Sequence, residues 1–100
     1  MVILFSLVSC SSKPEDAIVG KWSEIGGTET LELFKEGTIV SANESKNMTG
    51  KYTFIDKDRV KFEFDMAWAG TFKTVYAVAI SGNELTLTDS DGDPTKYKRE

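Results

Sequence analysis

Residues 60–65, Val-Lys-Phe-Glu-Phe-Asp, alternate apolar and charged side chains without a break. Successive side chains of an extended chain point to opposite faces, so a period of two puts Val60, Phe62 and Phe64 on one face and Lys61, Glu63 and Asp65 on the other. The charged face must meet water and the apolar face must meet a core. That is the pattern of an antiparallel sheet covered on one side only.

The same period recurs along the chain in short segments separated by turn residues. Ile18, Gly20 and Trp22 share a face, with Val19, Lys21 and Ser23 opposite, until Glu24-Ile25-Gly26-Gly27 breaks the strand. Leu31 and Leu33 then alternate with Thr30 and Glu32. Phe34 interrupts the alternation before Lys35-Glu36-Gly37, as a bulge or a hairpin with Gly in the left-handed region would. A strand from Thr38 to Ala42 leads into a polar loop over 43–47. Gly50, Tyr52 and Phe54 share the inner face of the next strand, and Phe72, Thr74, Tyr76, Val78 and Ile80 that of a later one. Ser81-Gly82-Asn83 is a hairpin turn, Leu85 and Leu87 alternate with Glu84, Thr86 and Thr88, and 89–94 turns the chain into a last strand around Tyr97. No segment shows a helical period. About eight short antiparallel strands joined by hairpins close most economically into a small up-and-down β-barrel, which removes both sheet edges, with a sandwich as the alternative. Pairing of the Gly20–Trp22 strand with the Tyr97 strand would close the barrel.

Composition narrows the function. A chain of 100 residues holds one domain at most. Its net charge of −4, with no clustered Lys and Arg, argues against nucleic acid, whose binding rests on neutralised phosphates. The absence of His removes the commonest general base and the commonest metal ligand, and it leaves serine nucleophiles without a base. Acidic residues alternate with Lys on solvent faces rather than pairing in an apolar setting. No catalytic residue, metal or cofactor is expected, and the protein is read as a non-enzyme. Asp89, Asp91 and Asp93 surround Gly92, but a calcium loop wants its Gly directly after the third acidic residue and a bidentate Glu beyond, so this reads as a solvated turn.

The first residues carry an address. Residues 2–8, Val-Ile-Leu-Phe-Ser-Leu-Val, are too short to span a bilayer but have the length of a signal-peptide apolar region. Leu7-Val8-Ser9-Cys10 resembles a bacterial lipobox, which implies cleavage before Cys10 and acylation of that cysteine as a stable membrane anchor. The organisation expected is a signal peptide over 1–9, lipidated Cys10 and a polar tether over 10–17, and a barrel over 18–100. The location is then the bacterial cell envelope, with Ser11 compatible with sorting to an outer membrane. The other reading is an N-terminal strand burying an inert thiol.

Gly20-Lys21-Trp22, residues 31–38 (Leu-Glu-Leu-Phe-Lys-Glu-Gly-Thr), Gly50-Lys51-Tyr52-Thr53-Phe54, residues 80–87 and the terminal Tyr97-Lys98-Arg99 follow one another in an order that resembles the small lipocalin-like domains of bacterial envelope lipoproteins. The resemblance implies an eight-stranded barrel in which Trp22 plugs the closed end and Arg99 lies over its ring as a cation. Met66-Ala67-Trp68-Ala69-Gly70 is apolar where a connection is normally polar, so Trp68 is a candidate for the barrel mouth or a lid over the core. Phe62 is a further candidate for a ligand site, with Tyr52 and Tyr76 as its polar handles. Two functions remain open. One is a binding module for a small apolar ligand or a protein partner; the other is an envelope inhibitor or assembly protein with a filled core that acts through its outer surface. The volume left inside the barrel separates them.

Overall fold

The structure is a computed structural model that describes residues 13–65 and 70–100. Cys10 with its lipobox, and Trp68, lie outside the described residues. A short helix α1 (Pro14–Ala17) precedes eight strands: β1 (Gly20–Glu24), β2 (Thr30–Leu33), β3 (Thr38–Ala42), β4 (Asn47–Asp56), β5 (Arg59–Asp65), β6 (Thr71–Ser81), β7 (Glu84–Thr88) and β8 (Pro94–Arg99). Each strand pairs antiparallel with the next, and β1 pairs with β8 through Trp22 opposite Arg99, Ser23 opposite Lys98 and Glu24 opposite Tyr97. The sheet is therefore a closed up-and-down barrel of eight strands, the all-β architecture that the alternation implies and the one compatible with a lipocalin-like fold.

The connections follow from their residues. Gly82 sits at φ +59° in the two-residue link between β6 and β7, a conformation that costs a residue with a Cβ and costs Gly little. Between β4 and β5, Asp56 accepts from Arg59 Nε at 2.9 Å and Nη2 at 2.8 Å, which closes the link over Lys57 and Asp58. Those bonds, with the Asp58 amide, hold the Asp56 carboxyl down to about 2. On β4, Gly50 faces Phe64 of β5, and a Cβ there would fall 2.1 Å from the Glu63 carbonyl oxygen and 2.7 Å from Phe64 Cδ1. The two strands approach so closely at this point that only Gly fits.

Inside, the period of two is kept around the ring. Trp22 of β1, Leu31 and Leu33 of β2, Ile39 of β3, Tyr52 of β4, Val60, Phe62 and Phe64 of β5, Val78 of β6, Leu85 and Leu87 of β7 and Tyr97 of β8 are all buried. Two features differ from the sequence reading. The polar stretch read as a tether up to residue 17 contains α1, which Pro14 opens, since Pro presets φ and a first-turn N–H has no intrahelical partner anyway. Ile18 is not in the first strand but caps this helix in the right-handed helical region, and it is fully buried in the core.

Helix α1 and Ile18 close one end of the barrel around Trp22. The indole Nε1 donates to the Ile18 carbonyl at 2.9 Å, so the ring is buried without an orphaned donor. Burying an indole removes about 150–250 Å² from water, a gross transfer gain of about 4–6 kcal/mol. Over it lies Arg99, its guanidinium carbon 4.1 Å from the ring centroid. The same guanidinium donates to the Ala17 carbonyl at 2.7 Å and the Val19 carbonyl at 3.1 Å, tying the last strand to the end of α1. Gly20 makes this possible: its φ is +138°, and a Cβ there would lie 2.8 Å from Arg99 Nη1. The Gly of the Gly-x-Trp segment leaves room for the cation, and the Trp supplies the face beneath it.

Candidate functional site

The opposite end of the barrel is not filled by the described residues. A cavity of about 390 Å³ opens there between the end of β1, the start of β2, the end of β3, the start of β4 and the adjoining ends of β5 to β8. Its size lies within the range of about 300–1,000 Å³ that small-molecule sites occupy. The floor and one wall are apolar, formed by Leu31, Phe62, Phe64 and Leu87, with Met48 and Phe72 nearer the rim. The Phe62 ring packs at 5.2 Å from Tyr76 and edge-on at 6.4 Å from Phe64, giving an aromatic wall held in place by its own contacts. Phe72, expected to face inward with Tyr76 and Val78, remains half exposed because β6 runs past the rim at this point.

The other wall is polar. Glu24, Glu29, Ser41, Thr95 and Tyr97 line it, while Thr74 stands beside Phe62 on the aromatic side. Glu29 is its centre: one carboxylate oxygen accepts from the Tyr97 hydroxyl at 2.8 Å and the other from the Ser41 hydroxyl at 2.7 Å. The Glu24 carboxylate sits beside it and accepts from the Glu29 amide at 3.3 Å. Burial, and then the hydrogen bond and charge of Glu29, push the Tyr97 phenol far above its ordinary value, and burial likewise raises Tyr76. Both phenols are therefore neutral at physiological pH. They act as fixed dipoles and not as bases.

Two further openings among the described residues lie outside the barrel. One of about 490 Å³ runs over the outer surface beside Thr49, Lys51, Glu63 and Lys73, and one of about 390 Å³ lies between the start of α1 and Phe54, Asp56 and Lys57. Neither is enclosed by the sheet, and their walls are largely solvated side chains.

Of the residues singled out from sequence, Phe62 and Tyr76 line the cavity. Tyr52 does not: it lies toward the closed end, buried, with its hydroxyl donated to the Phe34 carbonyl at 2.5 Å. Facing inward on a strand decides that a side chain is in the core but not at which end. Trp22 and Arg99 stack at the closed end, away from the cavity. Glu24, Glu29, Ser41 and Tyr97 were not singled out as site residues. The signal for them was present, since the period of two runs on from Trp22 to Glu24, back from Leu31 to Glu29 and on from Ile39 to Ser41. The Asp89 turn is self-contained, with one Asp89 oxygen accepting the Asp91 amide at 2.9 Å and the Asp93 amide at 3.0 Å.

No protein-family model matches the chain, and no curated protein matches it either.

Proposed function

We propose that this chain is an exported lipocalin-like lipoprotein, anchored through Cys10 to a membrane of the bacterial cell envelope, that binds a small, mainly apolar ligand and catalyses no reaction. The observation that carries the binding role is the cavity of about 390 Å³ that the described residues enclose at one end of the barrel, opposite the end packed by Trp22 and Ile18. A protein acting only through its outer surface gains nothing from leaving core volume empty, because unfilled volume costs stability. The plugged end around Trp22 and the open end around Phe62 divide the barrel into a stabilised base and a receptive mouth. The lipobox-like Leu7-Val8-Ser9-Cys10 supports the anchor, and the lack of any His supports a role without acid–base catalysis.

The chain from Ser11 onward carries α1 and all eight strands and is the form to test. Titration with 1-naphthalenemethanol, followed by NMR, is expected to be saturable and to shift the methyl resonances of Met48 and Leu87 while leaving Leu33 and Leu85 in place. Thr74→Phe, which puts an aromatic ring into the mouth, is expected to weaken that binding at least tenfold. Absence of any saturable shift at Met48 and Leu87 would refute the binding role and return attention to the outer surface. The anchor is tested separately: Cys10→Ala is expected to leave the protein unacylated and in the soluble fraction, and retention in membranes would count against lipidation.

A further inference from the structure

The charge of the cavity is one-sided. Its described lining holds two carboxylates, Glu24 and Glu29, and neither Lys nor Arg. Among the described residues the ion pairs are Arg59 with Asp56, Lys73 with Glu63 and Lys96 with Glu84, so neither lining carboxylate has a cationic partner. The pair stands at the base of the β1–β2 hairpin, where the Glu24 amide donates to the Glu29 carbonyl at 2.8 Å. Both residues occupy the inward parity of their strands, two residues from Trp22 and Leu31. Like charges directly across a strand pair oppose folding, and turning either outward would have placed it in water. Here they are turned inward and one is clamped in place by the Tyr97 and Ser41 hydroxyls.

An ionised carboxylate offers about four lone-pair positions, and the two hydroxyls occupy one on each oxygen of Glu29. The remaining positions can take donors from within the cavity. Across the ring of strands, on β5, stand Phe62 and Phe64, which line the same cavity and whose ring faces also attract cations. Resting on the binding role above, we propose that the ligand is a cationic amphiphile: a compact apolar or aromatic body that fills the floor against Phe62, Phe64 and Leu87, with one ammonium or amidinium head received by Glu29 and Glu24. The volume, that of about a dozen waters, limits the body to a small molecule and excludes a long acyl chain in extended form. An anionic head, such as a fatty-acid carboxylate, would meet two uncompensated negative charges.

Three probes of matched shape test this: 1-naphthylmethylammonium, 1-naphthalenemethanol and 1-naphthylacetate, titrated at pH 7 and low salt into the chain from Ser11 onward and read by NMR at Met48 and Leu87. The ammonium is expected to bind at least tenfold more tightly than the alcohol, and the carboxylate more weakly than either. Glu29→Gln keeps an acceptor for a hydroxyl while removing the charge, and is expected to bring the ammonium to within about threefold of the alcohol. Glu24→Gln is expected to lose a smaller part of the preference and serves if Glu29→Gln does not fold, the urea midpoint deciding that. Raising the salt should narrow the gap between ammonium and alcohol and leave alcohol binding unchanged. Equal affinity of alcohol and ammonium would overturn the charge assignment while the binding role stands. Failure of all three probes to shift Met48 and Leu87 would overturn both.

Discussion

Replacing Arg99 by Met tests how the closed end is held. Met keeps an unbranched apolar stem over the indole but removes the guanidinium. The loss comprises two hydrogen bonds from a charged donor, at 2.7 Å to Ala17 and 3.1 Å to Val19, worth about 1.5–3 kcal/mol each. To these is added a cation–π contact at 4.1 Å, worth about 0.5–2 kcal/mol. The gross loss of about 3.5–8 kcal/mol is offset because Ala17 and Val19 are only partly buried and their carbonyls regain water. A net destabilisation of about 2–4 kcal/mol is expected, which for a domain of this size lowers the melting temperature by roughly 8–30 °C. Urea unfolding followed by far-UV circular dichroism measures it, with the midpoint falling and the slope unchanged. Arg99→Lys should lose about 1–2 kcal/mol, since a single ammonium lacks the planar fork that reaches two carbonyls and the ring together. A double-mutant cycle with Trp22→Phe should return a coupling of about 0.5–2 kcal/mol. A loss under about 1 kcal/mol for Arg99→Met would refute the reasoning, because even one solvated charge-assisted bond exceeds it.

Two other perturbations follow from the same geometry. Gly50→Ala forces a methyl against the Glu63 carbonyl and the Phe64 ring and should cost about 1–3 kcal/mol by parting β4 from β5; an unchanged urea midpoint would show that the strands separate freely. Tyr97, Tyr76 and Tyr52 all have raised folded-state values, so the fold keeps phenol protons that the unfolded chain loses. Their contribution is complete below about pH 10 and is lost as the pH rises beyond it; Tyr97→Phe should make that alkaline decline shallower, and an identical decline in the variant would show that Tyr97 does not contribute.

Much of the barrel was legible because a period of two is a local property. Val60, Phe62 and Phe64 had to face one way whatever they packed against, and the Gly and Asn residues between segments had to turn. The pairing of Trp22 with Arg99 was legible only through resemblance, since nothing local links two residues at opposite ends of a chain. Helix α1 was hidden because four residues show no period, and its helical state depends on Ile18 being drawn into the core and Arg99 donating to its last carbonyl, that of Ala17.

For the candidate site the division is sharper. Sequence alone determined that Phe62 and Tyr76 face inward, whereas Glu24 is read there as part of the break after the first strand and Glu29 is given no face, because a charged residue next to a turn reads most readily as solvated. It also determined the absence of His and the presence of the lipobox-like segment, which are statements about which atoms exist. Only the tertiary structure decided which end of the barrel is plugged and which is open. Alternation assigns a face but not a height along the barrel axis; height depends on the stagger between strands, which every hairpin and the β1–β8 closure set jointly. That stagger carries Tyr52 to the sealed end and gathers Glu24, Glu29, Ser41 and Tyr97 around a single empty volume.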